Sequence, residues 1–164
     1  MQVPRIAGIA VLAAALAGPL AAAWAKGPGP ADEVVVDKSD RQMYVLHRGR
    51  VIARIPVALG FAPAGHKQRR GDGRTPEGFY VLDWRNPNSK FYRSIHISYP
   101  NAEDRAHATR LGVPPGGDIF IHGTPAGPEF VTIDWTAGCI AVSNTAMDLI
   151  WNRVPDGTPI TIRP

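Results

Sequence analysis

A mainly β domain with short helices is the fold class this sequence predicts, and three observations predict it. Short alternating apolar runs recur from Glu33 onward, turn-rich segments separate them, and only two stretches have helical character. Val34 and Val36 bracket the first alternation, and Met43–His47 forms a second β-rich run. Residues 37–41 between them are polar and turn-forming, so the two pair as a hairpin. His47–Arg50 is a further turn and Val51–Leu59 a third strand, which completes a meander. Strand character returns at Phe79–Asp83. Residues 86–89, which include Pro87, read as a turn, and Phe91–Ser98 alternates again. Ala102–Leu111 is the first helix, with Asn101 as its cap and Gly112 as its stop. Asp118–His122 and Cys139–Val142 are short apolar strands. Thr145–Val154 is a second helix, capped by Ser143 or Asn144, with Met147, Ile150 and Trp151 on one face. Ile160–Ile162 is a last strand.

The 164 residues suffice for one domain with a core. Residues 1–25 read as a secretory signal. Arg5 is the one charge, the run from Ile6 to Ala17 is apolar, and Ala23 and Ala25 supply small residues for a cut after Ala25. That run is short of the ~20 residues a spanning helix needs. Residues 26–32 form a Gly/Pro-rich leader, and 33–164 the folded domain. Loss of Arg5 lowers the net charge from +4 to +3, a mildly basic balance suited to a polyanionic surface. No Lys/Arg run with interleaved aromatics appears, which leaves nucleic-acid binding without support. Membrane contact is expected only through the signal segment, and the location is the periplasm or the cell-wall compartment. The long basic Gly-rich stretch from Gly60 to Gly78 has the character of a working loop.

Chemistry centres on Cys139, the single cysteine, which cannot form an internal disulfide in an oxidising compartment. On the residues alone, a buried small hydrophobe and a nucleophile both remain open. His122 ends an apolar strand and precedes Gly123, which places it at a sheet rim, seventeen positions before Cys139. An imidazole within reach of a thiol takes its proton and leaves a nucleophile for a carbonyl. The backbone N–H groups of Gly138 and Cys139 are the candidate oxyanion donors. A backbone carbonyl would suffice to orient His122. Trp135 either walls the cleft or packs in the core, and Asp134 orients a loop or His122. His96 is structural or lines the pocket, while His66 and His107 sit in polar segments and read as solvated. No spacing of His, Cys and carboxylates implies a metal, and no cofactor is implied.

These motifs resemble the L,D-transpeptidase catalytic domain (YkuD) family. The resemblance rests on Ile121–Gly123, on Thr136–Asn144, on Lys67 with Gly71, Asp72 and Thr75–Gly78 upstream, and on Gly157–Ile160 near the end. It implies a β-sandwich fold with Cys139 as nucleophile, His122 as base, and Lys67, Trp135, Thr136 and Asn144 along the substrate. The implied substrate is a peptidoglycan stem peptide, cut after its third residue. The acyl group passes to an amine, on a second stem or a wall-attached lipoprotein; relatives that use water act as carboxypeptidases or amidases. A non-catalytic wall-binding module is the alternative from another class. Two positions depart from the usual Ser-His-Gly-Cys-x-Arg pattern: Ala137 stands for its His and Ala141 for its Arg. Lys67, Arg69 or Arg70 can restore the lost positive charge.

Overall fold

The computed structural model describes residues 29–125 and 133–164. The expected signal, most of the leader and the middle of the loop between His122 and Cys139 lie outside them. Alternation becomes burial along β1 (Glu33–Asp37), β2 (Gln42–His47) and β3 (Arg50–Pro56), where Val34, Val36, Met43, Val45 and Ile55 face the core. The remaining strands are β4 (Gly78–Ser89), β5 (Tyr92–Ile97), β6 (Phe120–His122), β7 (Ile140–Ala141) and β8 (Thr158–Arg163), with helices α1 (Ala102–Leu111) and α2 (Asn144–Arg153). All eight strands form one sheet in the order β3-β2-β1-β8-β4-β5-β6-β7. β8 runs parallel to β1 and antiparallel to β4, so one strand joins the N-terminal meander to the other half.

The sheet curls until its ends meet. Just past β3, Ala58 exchanges both backbone hydrogen bonds with Ala141 of β7, at 2.9 and 2.8 Å. Thr136 and the Leu59–Phe61 stretch are bonded in the same way, at 3.1 and 2.9 Å. The two faces of the expected sandwich thus come from a single sheet. Inside lie Leu82, Ile95, Ile97, Ile121, Ile140, Ile160 and Ile162, covered by Met147 and Ile150 of α2. Both helices sit where their caps place them. The Asn101 side chain accepts from the N–H groups of Glu103 and Asp104, and Ser143 accepts from Ala146. Among the described residues, no helix is long and apolar enough to cross a membrane.

One expectation fails. Residues 86–89 do not turn; β4 runs through them, and the chain reverses at Lys90 and Phe91. Pro87 is tolerated because the β4–β5 pairing slips there and again after Leu82, so irregular steps in the ladder absorb the missing donor. Asn86 fills part of the gap by accepting from the Asn88 N–H at 2.9 Å.

Candidate active site

Sheet geometry alone puts a histidine and the thiol on one surface. β6 and β7 are parallel, with Ile121 opposite Ile140 and His122 opposite Ala141. Both isoleucines are fully buried and point inward. Side chains alternate, so Phe120, His122, Ala141 and the residue before Ile140, Cys139, share the opposite face. Cys139 stands across from Phe120, one diagonal step from His122.

His122 is 4% exposed, and Nδ1 lies 2.6 Å from the carbonyl oxygen of Gly123. A carbonyl only accepts, so Nδ1 carries the hydrogen and Nε2 is the free acceptor. Burial holds the imidazole below its ordinary pKa, against a smaller upward pull from that hydrogen bond. The group that orients His122 is therefore the next residue's carbonyl, which no side-chain motif could announce. A Cβ at Gly123 would stand 2.3 Å from Asn144 Oδ1 and 3.0 Å from the Phe91 carbonyl, so any larger residue there displaces the Asn144 side chain. The same Asn144 oxygen accepts from the Thr124 N–H at 2.8 Å, so Asn144 clamps the turn behind the base.

The Cys139 thiol donates to the Asp118 carbonyl at 3.6 Å. Asp118 is left-handed, at φ 55°. Burial pushes the thiol up, opposed by the Phe120 backbone N–H and the positive charge of Lys67. Thr136, itself buried, ties the turn that presents the thiol. Its hydroxyl donates to the Cys139 carbonyl at 2.8 Å and accepts from the Gly138 N–H at 3.1 Å. The Gly138 N–H is thereby engaged within the turn. Gly138 sits at φ 137°, and a Cβ would meet the Arg74 carbonyl at 2.7 Å.

Through that contact the Gly-rich loop supports the turn. Lys67, 3% exposed, donates to Asp72 Oδ1 at 2.8 Å and to the Arg69 carbonyl at 3.2 Å. Asp72 also accepts from the N–H groups of Gln68, Arg69 and Arg74. Burial alone would raise this carboxyl; the Lys67 ammonium and the three N–H groups outweigh it and bring it from 3.8 to about 2. Lys67 thus reaches the thiol through its field while its ammonium is engaged within the loop.

Trp135 is 41% exposed, its ring centroid 5.6 Å from that of His122. Asp134 does not orient His122. Arg41 donates to it through Nε and Nη2 at 2.9 and 2.7 Å, and it accepts from the Leu59 N–H at 2.8 Å, so it anchors the segment that carries Trp135. Phe91, at the β4–β5 turn, was not foreseen; its ring lies 4.7 Å from that of His122 and 5.7 Å from that of Trp135. His66 and His107 are not free in solvent. His66 Nδ1 accepts from the Glu77 N–H at 2.9 Å, and Nε2 lies 3.1 Å from Asp104. His107 Nε2 is buried without a partner among the described residues. No group of three or more His, Cys, Asp or Glu among those residues is placed to hold a metal ion.

The curled sheet carries a cysteine and a histidine on one face of adjacent strands. The chain belongs to the L,D-transpeptidase catalytic domain (YkuD) family, whose profile matches residues 31–162. It is 41% identical over 93 residues to Escherichia coli (strain K12) YafK, a protein provisionally named an L,D-transpeptidase. The match covers 55% of this chain and 32% of that protein, so the chain spans about a third of its relative. Among solved structures, it resembles the helical cell shape determining protein Pgp2 of Campylobacter jejuni, with a TM-score of 0.64 and 26% identity over 82% of this chain and 48% of that one. Bd1075 of Bdellovibrio bacteriovorus gives 0.60 and 26%, over 81% and 48%. An L,D-transpeptidase of Xylanimonas cellulosilytica, at 0.54 and 21% over 82% and 61%, shares the fold.

Proposed function

We propose that this chain is an exported cysteine acyltransferase of peptidoglycan, with Cys139 as nucleophile and His122 as base. The observation that carries the reading is the Nδ1 hydrogen bond of His122 to the Gly123 carbonyl, which leaves Nε2 as acceptor one diagonal step from the thiol. The thiol leaves the Asp118 carbonyl and gives its proton to Nε2. The thiolate attacks the carbonyl of the third stem residue while the Cys139 N–H faces the oxyanion. The C–N bond breaks, the departing amine takes the proton from the imidazolium, and a thioester remains. An amine then attacks the thioester, His122 takes its proton, and the thiolate leaves. Trp135 lines the cleft, and Lys67 supplies positive potential from beneath. Asn144 and Thr136 hold the two turns, so their effect on substrate is through His122 and Cys139. A second stem or a wall-attached lipoprotein supplies the amine. The apolar N-terminal segment directs the chain to the periplasm or wall.

The intact mass after treatment with a carbapenem tests the nucleophile. We expect an adduct on the parent and on no Cys139→Ser protein, with much slower acylation of His122→Ala. An unmodified parent overturns the reading. Incubation with purified stem-bearing fragments separates the acceptors, since a cross-linked dimer marks transfer and a shortened monomer alone marks hydrolysis. Ala137 is exposed and Ala141 fully buried against Ala58, so neither offers the polar wall or guanidinium of the usual pattern. That observation favours water as the second acceptor.

A further inference from the structure

Between Leu82 and Arg85 the β4–β5 ladder slips, and two residues of β4 oppose one of β5. Asp83 and Trp84 therefore both flank His96. Asp83 Oδ1 lies 2.7 Å from His96 Nδ1, and the Trp84 ring stacks on the imidazole at 5.1 Å with 21° between planes. His96 in turn faces Phe120 across β5 and β6. The Phe120 ring stands edge-on to both neighbours, 5.2 Å from Trp84 and 5.1 Å from His96. Phe120 is the residue across from Cys139. One cross-sheet row thus runs over four strands, from Asp83 and Trp84 through His96 and Phe120 to the thiol. The core does not explain it, because it lies on the face opposite Ile95, Ile97 and Ile121, and Trp84 remains 45% exposed.

We infer that this row is a saccharide subsite, which receives the pyranose ring that carries the stem peptide. The inference rests on the peptidoglycan reading above and extends it from the peptide to the glycan. Two properties of the row select the ligand. The Trp84 ring, 45% exposed and braced against His96, offers an aromatic surface suited to the C–H face of a sugar. Its carboxylate accepts: Asp83 takes the His96 Nδ1 hydrogen at 2.7 Å and keeps its remaining lone pairs for donors on the ligand. Hydroxyl and N-acetyl N–H groups are such donors, whereas an anionic ligand meets a like charge at Asp83. The span agrees as well. From the thiol to β4 is three strand spacings, about 14 Å. From the third residue's carbonyl back through three extended residues is about 10 Å, and the lactyl ether that joins them to the sugar supplies the rest.

Isotope-labelled Cys139→Ser protein, titrated with the peptide-free β-1,4-linked N-acetylglucosamine–N-acetylmuramic acid disaccharide whose lactyl carboxyl is capped as the neutral methylamide, tests the subsite without any turnover. We expect the Trp84 indole resonance, assigned by its loss in Trp84→Ala, to shift. A silent indole overturns the inference. So does an indole that moves with the free stem peptide, or with a lysine-ended peptide, but not with the disaccharide. If Cys139 proves not to be a nucleophile, the indole result still stands by itself. With the active parent, the disaccharide-linked tetrapeptide is expected to be the better substrate by kcat/KM, and Trp84→Ala to reduce that preference about three- to tenfold through KM. Equal losses on the linked and free peptides overturn it.

Discussion

Cys139 and His122 lie in surroundings that favour their neutral forms, and this sets how the proposed site responds to pH. Burial disfavours the thiolate and the imidazolium alike. Alkylation of resting Cys139 by iodoacetamide should therefore titrate above pH 9, unlike preactivated thiols at about 3.5–7.5. The acid limb of kcat/KM should fall below pH 6.5, since His122 gives up its proton more readily than free imidazole. An iodoacetamide midpoint near neutrality would mean a resting ion pair instead. Gly138 carries a sharper constraint. A side chain there is strained at φ 137° and also collides with the Arg74 carbonyl. Gly138→Ala is expected to cost about 2 kcal/mol in urea unfolding and to abolish acylation. Cys139 and His122 could be singled out because reactive residue types stand out in a string, and strand pairing puts them on one face. The Gly123 carbonyl could not, since every residue owns one and only folding aims it.

At the scale of elements, the Gly-rich loop and the 133–136 segment behave as two struts under the site. Asp72 is the knot of the first. Its folded pKa of about 2 lies below the ordinary 3.8, so its contribution is complete above pH 3.8 and is lost as pH falls toward 2. The shift corresponds to about 2 kcal/mol. Asp72→Asn should erase that acid-side slope and lower stability at neutral pH by about 2–4 kcal/mol, because Lys67 is left buried without its counter-charge. Urea titrations between pH 2 and 7 give both numbers. Asp134 is the peg of the second strut. Asp134→Ala strips the Leu59 N–H and Arg41 of their acceptor and is expected to cost about 1–3 kcal/mol. Ordered circular-dichroism melts of parent and variant measure it; no change would mean that Trp135 is held by other contacts.

Helix limits were readable almost to the residue, because Asn101, Gly112 and Ser143 are chemical punctuation. β4 was misread because Pro87 is ordinarily a strand breaker, and only the partner strand reveals that the ladder slips around it. The aromatic row was missed for a related reason. Trp84, His96 and Phe120 are far apart in sequence, and pairing of three strands brings them together. Phe120, two residues before His122, did carry a signal: alternation places both on one face.

For the whole molecule, β8 decides whether there is a sheet at all. It borders β1 on one side and β4 on the other, with Ile160 and Ile162 in the core. Removal of residues 157–164 should leave no cooperative unfolding transition, because the meander then keeps only the short bridges at Ala58–Ala141 and Thr136 to the other half. A truncated chain that still melts sharply would show the two halves to be independent. The alternation that predicted a mainly β domain was sufficient for the class. Strand order was not legible, because parallel pairing of β1 with β8 leaves no local trace in either segment.

That arrangement has a temporal side. Strands some 125 positions apart must find each other before either half has a finished border, and such distant encounters are slow. As the polypeptide is made, β1 and β4 wait with bare edges for a strand that emerges after all the others described here. During that interval the meander is open to pairing with any stray extended segment, its own twin on another ribosome included. Yield in cell-free synthesis should therefore respond more to whatever shields nascent edges than to any substitution in the cleft.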